Sequence, residues 1–327
     1  MHLNNVGSLW LRRYAVFVAV CTFGLVIAGG LVTSNDAALS IPDWPLSWGH
    51  LVPTLEGGIR YEFAHRVTAM LVGLLTVGLA VWMGQASADG GADPLVRGRR
   101  PRRPAAVMQE PGSSSEAQVQ GDPRGPGGLP YSIRLAWAAV AVVLAQAALG
   151  GVAVRFLTPA WATIAHASLG QLFFAMMVAI CVGLFAGFDG AHGPSLICAA
   201  ALFAQTILGA AVRYGVVAPV AHIVGALLAT ILVMWAGLSI LMRHMDNPKL
   251  RRPAMLLLSI TFSQVFLGIG ALMARVAYAD APQPMPMVVW FTVAHVAVGS
   301  LALGAAVALA MLARPDAFQV HGGMVTA

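Results

Sequence analysis

The sequence predicts an all-α integral membrane protein, with eight transmembrane helices arranged as two pseudo-symmetric four-helix bundles and both termini in the cytoplasm. Three observations carry that prediction. Of 327 residues, 58% are hydrophobic and only 10% are charged, against roughly 25% charged in a soluble domain. Mean hydropathy is +0.78. Eight apolar stretches come close to or exceed the about 20 residues that span a bilayer as a helix, and one hairpin motif recurs along the chain. An ordinary soluble enzyme and a disordered chain are both excluded by this composition.

The expected spans lie near 14–33, 63–85, 133–154, 162–187, 194–213, 220–242, 254–276 and 288–312. The first follows Arg12 and Arg13, as a signal peptide would, but it is longer than a signal h-region and no convincing small-residue cleavage site follows. It is expected to be a retained helix. The 19 basic and 13 acidic residues give a net charge of +6. An N-terminus placed in the cytoplasm puts fourteen of the 19 basic residues on the inner side, which is the bias that sets topology. Because these residues sit in loops beside apolar spans, no nucleic-acid partner is expected. Cys21, Cys181 and Cys198 all fall within apolar runs and outline no disulfide framework.

Many inner arginines belong to an insert, 86–132, that is rich in Pro, Gly, Ser and Arg and lacks apolar periodicity. It is expected to be a disordered cytoplasmic linker. It divides the second span from the third, inside an N-terminal bundle over 1–187; a C-terminal bundle follows over 188–327.

The repeat supports that division. The third, fifth and seventh spans read AQAALGGVAVR, AQTILGAAVR and SQVFLGIGALMAR. Gln146, Gln205 and Gln264 recur at constant spacing, and Gly150, Gly209 and Gly268 follow at the same offset. Each span ends near an outer arginine (Arg155, Arg213, Arg275), and the next opens with Ala-His. The first hairpin lacks the Gln yet also closes on Ala64-His65. Four copies of one hairpin suggest an internal duplication.

His65, His166, His222 and His295 therefore share one depth at the outer ends of the even-numbered spans. A single such histidine is explained by a side chain reaching for the headgroups. Four equivalent ones ask for more. Neutral imidazole donates a lone pair without bringing charge into the membrane, and two imidazoles on facing helices can hold a haem. The pairing by half is His65 with His166 and His222 with His295.

Glu62 lies three residues before His65, on the same helix face. Thr163, Pro219 and Thr292 occupy the corresponding positions elsewhere, so only the first pair has an acid beside it. The alternative is an ion pair with Arg60 or Arg66. Arg155, Arg213 and Arg275 suit either haem propionates or interfacial anchoring. The long outer loop from Ser34 to Arg60 carries LSIPDWPLSWG and is a candidate lid over the first site.

These residues resemble a known family. GGLVT ending the first span, LSIPDWPLSWG, YEFAHR opening the second span, and the three later Ala-His starts are similar to haem A synthase. The resemblance covers nearly all of the chain outside the insert. It implies a multi-pass enzyme of the cell membrane that oxidises the C8 methyl of haem O to the formyl of haem A. It implies further that His65 and His166 face the substrate haem, that His222 and His295 ligate a resident haem b, and that Glu62 is catalytic. Membrane lipid, a haem O synthase delivering substrate and an electron acceptor of unassigned identity are the implied partners; homo-oligomerisation stays open. Many members carry cysteines flanking PDWPL, where this chain has Ile41 and Ser47, so a loop disulfide is absent. The residues themselves also admit a di-haem b, quinol-linked electron-transfer cytochrome, which leaves Glu62 unexplained, and a haem-free transporter.

Overall fold

The computed structural model describes residues 3–47, 49–91, 128–187 and 193–313. They form eight helices: α1 (Leu3–Ser34), α2 (Ile59–Gly91), α3 (Gly128–Arg155), α4 (Ala160–Ala186), α5 (Gly193–Arg213), α6 (Pro219–His244), α7 (Pro248–Ala277) and α8 (Pro286–Leu312). All eight are long and apolar enough to cross a membrane. Among the described residues there is no β-strand beyond one isolated bridge, Ser47 to His50. A helix satisfies its own backbone polar groups, which hydrocarbon cannot do for it. The protein is a multi-pass membrane protein.

Helix starts follow ordinary local chemistry. Proline opens α6, α7 and α8 in the first turn, where no amide hydrogen is needed. Asn247 caps α7 by accepting a hydrogen bond from the Lys249 amide at 3.1 Å.

Four helices run well past the spans their hydropathy suggested, α2 and α3 into the insert and α1 and α7 at their starts. α1 begins at Leu3 and not near 14, and α7 begins at Pro248 and not near 254. Hydropathy marks only the part of a helix that suits lipid, whereas Lys249, Arg251 and Arg252 are good helix formers in water. The insert is also narrower than expected. Residues 86–91 continue α2 and 128–132 begin α3; 92–127 lie outside the described residues.

Neighbour relations run α1–α2, α2–α3, α3–α4 and α4–α1, then α5–α6, α6–α7, α7–α8 and α8–α5. Buried apolar side chains collect in two clusters. One, including Val18, Val72, Ala139 and Met177, is drawn from α1–α4. The other, including Cys198, Val233, Leu257 and Leu309, is drawn from α5–α8. Between them, α8 packs on α1 and α4, and α4 packs on α5. The most inward helix is α8, and small residues make that possible. A Cβ on Gly304 would lie 3.2 Å from both Phe174 and Val178 of α4.

Overpacking that contact has a readable outcome. Gly304→Leu is expected to destabilise the protein by about 1–3 kcal/mol, seen as a lower thermal midpoint in detergent. Gly84→Ala, where a Cβ meets nothing within 4 Å, should not lower the midpoint and, as a helix-interior glycine replaced, should if anything raise it.

Candidate functional site

Antiparallel neighbours bring the ends of α1, α3, α5 and α7 together with the starts of α2, α4, α6 and α8. Each histidine ring is seated against a glycine of the helix before it. A Cβ on Gly29 would come within 3.3 Å of His65 Cε1, on Gly150 within 3.6 Å of His166 Cε1, on Gly209 within 3.1 Å of His222 Cε1, and on Gly268 within 2.9 Å of His295 Cε1. The recurring glycine is therefore the floor of an imidazole seat.

The rings meet in twos. His65 and His166 have centroids 6.3 Å apart with planes at 74°; His222 and His295 have centroids 6.2 Å apart with planes at 81°. A metal bonds an imidazole nitrogen at about 2 Å, and that nitrogen lies about 1 Å from its ring centre. Two imidazoles on one metal thus place their centroids about 6 Å apart, as both pairs do. Among the described residues no group of three or more His, Cys, Asp or Glu is placed to hold a metal ion. Two nitrogen donors suit a metal that brings its remaining ligands with it, as iron does in a porphyrin.

The glutamines, which had no specific account from sequence, bind the histidine helices. Gln146 Nε2 donates to the His166 carbonyl at 2.8 Å, and His166 Nδ1 lies 3.2 Å from the Gln146 carbonyl. Gln205 Nε2 donates to the His222 carbonyl at 2.7 Å and lies 2.9 Å from His222 Nδ1. Gln264 Nε2 is 3.4 Å from His295 Nε2. A glycine on the histidine helix makes room for each amide: Gly170, Gly225 and Gly299 face Gln146, Gln205 and Gln264. The signal was present in the sequence, as a glycine three or four residues after each of these histidines.

Glu62 is 5% exposed, so the membrane-side acid is buried, and its partners explain how. Its Oε1 accepts from Arg66 Nη2 at 2.6 Å, and its Oε2 accepts from the Ile41 amide at 2.9 Å. Arg60 turns away and stacks on Tyr61. Arg66 also donates to three loop carbonyls, Ile41 at 3.1 Å, Asp43 at 2.7 Å and Leu46 at 3.1 Å. The PDWPL segment is thereby strapped onto the start of α2. Trp44 from that strap leans on α3, with Cδ2 3.1 Å from where a Gly151 Cβ would be. Gly151 is next to Gly150, the floor of the His166 seat.

The two pairs are linked at their seam. Gly29 faces His65, while Gly30 faces Val293 on α8, two residues before His295. Arg213 donates to the Thr33 carbonyl at the end of α1, which makes it a tie between α5 and α1. Arg275 lies within electrostatic reach of Arg213 and Asp36. Cys21, Cys181 and Cys198 are free thiols. Ile41 is fully buried and Ser47 pairs with His50 through two backbone hydrogen bonds. An open cavity of about 480 Å³ lies under His50, Val52, Pro53, Thr54 and Ile59, and neither histidine pair lines it.

No family model matches the chain. Curated relatives do. A protein named Heme A synthase from Exiguobacterium sibiricum is 37% identical over 76 residues, 22% of this chain and 26% of the relative. Its namesake from Symbiobacterium thermophilum is 36% identical over 69 residues, covering 21% and 22%. That from Hyphomonas neptunium is 27% identical over 79 residues, covering 24% and 22%. Each match spans about a quarter, or less, of the relative's own length. Within those stretches the chain is similar to the haem A synthase family, as its PDWPL loop and Ala-His helix starts indicated.

Proposed function

We propose that this chain is a haem A synthase of the cell membrane, an oxidoreductase that converts the C8 methyl of haem O into the formyl group of haem A. The observation that carries the reading is the doubled imidazole pair. Two equivalent seats, each with centroid spacing suited to one iron, stand at one end of the protein. Only the first has a buried acid and a strap beside it. On this reading residues 1–187 form the substrate half, with His65 and His166 against haem O, and 188–327 form the half that holds haem b through His222 and His295. The resident haem supplies one-electron chemistry; an electron acceptor takes the electrons onward.

The chain's own residues bind, orient and handle protons. The glycine seats position all four imidazoles, and the glutamines brace His166, His222 and His295, so that each ring would be held ready to bind its haem. Each hydroxylation of the methyl adds a water oxygen and removes two electrons and two protons. A second hydroxylation gives a geminal diol, and loss of water leaves the aldehyde. Glu62 is the group beside the first pair able to accept a proton or face developing positive charge. Arg66 and the Ile41 amide orient its carboxylate and leave acceptor capacity on both oxygens. The strap across Ile41 to Leu46 restricts bulk solvent at the first pair, which strengthens the electrostatic effect of Glu62 there, while the single water that each hydroxylation consumes still has to enter. Its Pro42 and Pro45 stiffen it for that task.

Three outcomes test the reading. Coexpression with a haem O producer, followed by extraction of pigment from the purified protein, should yield haem A; haem b alone would assign the protein to electron transfer. Glu62→Gln keeps the shape and the acceptor for Ile41 while removing the charge. It should retain bound haem, by visible spectroscopy, and lower haem A formation about 100-fold or more. Gly268→Val should drive His295 out of its seat and remove the haem b spectrum of the second pair, whereas Gly24→Ala, which meets nothing within 4 Å, should keep both pigments.

A further inference from the structure

At three of the four histidines a glutamine of the preceding helix reaches across: Gln146 and Gln205 grip the His166 and His222 carbonyls, and Gln264 packs on Gly299 and meets the His295 ring. His65 has no such glutamine. The residue four positions before its seat glycine, Gly29, is Leu25, where Gln146 stands before Gly150, Gln205 before Gly209 and Gln264 before Gly268. The receiving glycine is missing as well: Ala69 stands four residues after His65, where Gly170 follows His166 and Gly299 follows His295. Clamp and socket are lost together, so α2 near His65 lacks the side-chain tie that Gln146 and Gln205 make to the His166 and His222 carbonyls.

The same stretch of α2 holds a different tie. Arg66, the next residue, grips three carbonyls of the 41–46 strap and the carboxylate of Glu62, which itself accepts from the Ile41 amide. A glutamine clamp joins two helices that stay together. This latch joins a helix to a loop, and a loop can leave without unpacking the bundle. Trp44 of the strap closes against Gly151 beside the His166 seat, so lifting the strap uncovers α3 while it releases α2.

We propose that Arg66 is a positioning residue whose strap latch replaces the glutamine clamp at His65, so that opening the strap loosens His65 and lets the first pair exchange its porphyrin while the second pair keeps its own. The inference deepens the proposed function and rests on its haem reading. A substrate must enter and a product must leave, so a releasable ligand helix belongs at the substrate pair and a fixed one at the resident pair.

The test is haem transfer from the purified, haem-loaded full chain to an excess of apomyoglobin, followed by absorbance. Loss should be biphasic, with the fast phase from the first pair. Arg66→Met should speed the fast phase about tenfold and leave the slow phase unchanged; Arg66→Lys, a point charge without the planar fork, should restore it only in part. Gln205→Leu should speed the slow phase alone, also about tenfold. Leu25→Gln with Ala69→Gly should slow the fast phase. Gln205→Leu and the Leu25/Ala69 pair decide the matter where Arg66→Met misfolds. A single phase, or phases that ignore these substitutions in a pigmented protein, would overturn the latch and leave the haem reading standing. A colourless wild-type protein would overturn both.

Discussion

The arrangement of this protein depends on an imidazole whose Cε1 edge rests against a bare stretch of neighbouring helix. A side chain at Gly29, Gly150, Gly209 or Gly268 would occupy the space that a histidine ring now fills. The glycine lets two backbones approach, and it fixes where the ring sits along the membrane normal. Because the odd and even helices alternate, four such seats fall at one end of the molecule. Their pairing follows from the closure of α1–α4 and of α5–α8 on themselves. Neither ring pair requires strain or buried charge, since a neutral imidazole is tolerated where a cation would not be.

Polar groups in hydrocarbon call for partners inside the protein, and part of that demand is met by coupling polar side chains to helix positions, although the amide oxygens of Gln146, Gln205 and Gln264 stay buried without a protein partner. Gln146 and Gln205 spend their amide hydrogens on the carbonyls of His166 and His222. Each therefore holds the backbone of the residue whose ring matters. Glu62 and Arg66 answer the same demand differently. As a buried pair they would be a poor source of stability, yet they collect four further polar atoms of the strap. Their cooperative use is to hold the loop on the start of α2, with Trp44 against Gly151, next to the glycine that seats His166. The two halves share a plan but differ in what covers it.

How much of this was legible beforehand divides along physical lines. Eight spans, their order and the four special histidines were readable, because hydropathy and a repeated motif are one-dimensional properties. Helix ends were less so: the first turns of α1 and α7 mix polar and basic residues with apolar ones and so fall outside the apolar runs, and the insert gave up residues at both flanks to α2 and α3. Glu62 stood out through its asymmetry, but which arginine it meets was open. Arg66 is one turn further along the helix and Arg60 points to Tyr61, a choice that the i,i+4 spacing of Glu62 and Arg66 favours over i,i+2.

The amino-acid sequence by itself determined that the chain spans a membrane eight times, that its hairpins are copies of one another, and that each copy presents a histidine at the same depth. The reason is that solvation by lipid and helical periodicity act residue by residue. Only the tertiary structure decided that the rings meet in two pairs with centroids 6.3 and 6.2 Å apart, that Gln146 and Gln205 hold the backbones of His166 and His222 while Gln264 meets the His295 ring, and that the PDWPL strap is bound by Arg66. Those relations join residues distant along the chain, and their distances are set by how closely glycine lets the helices pack.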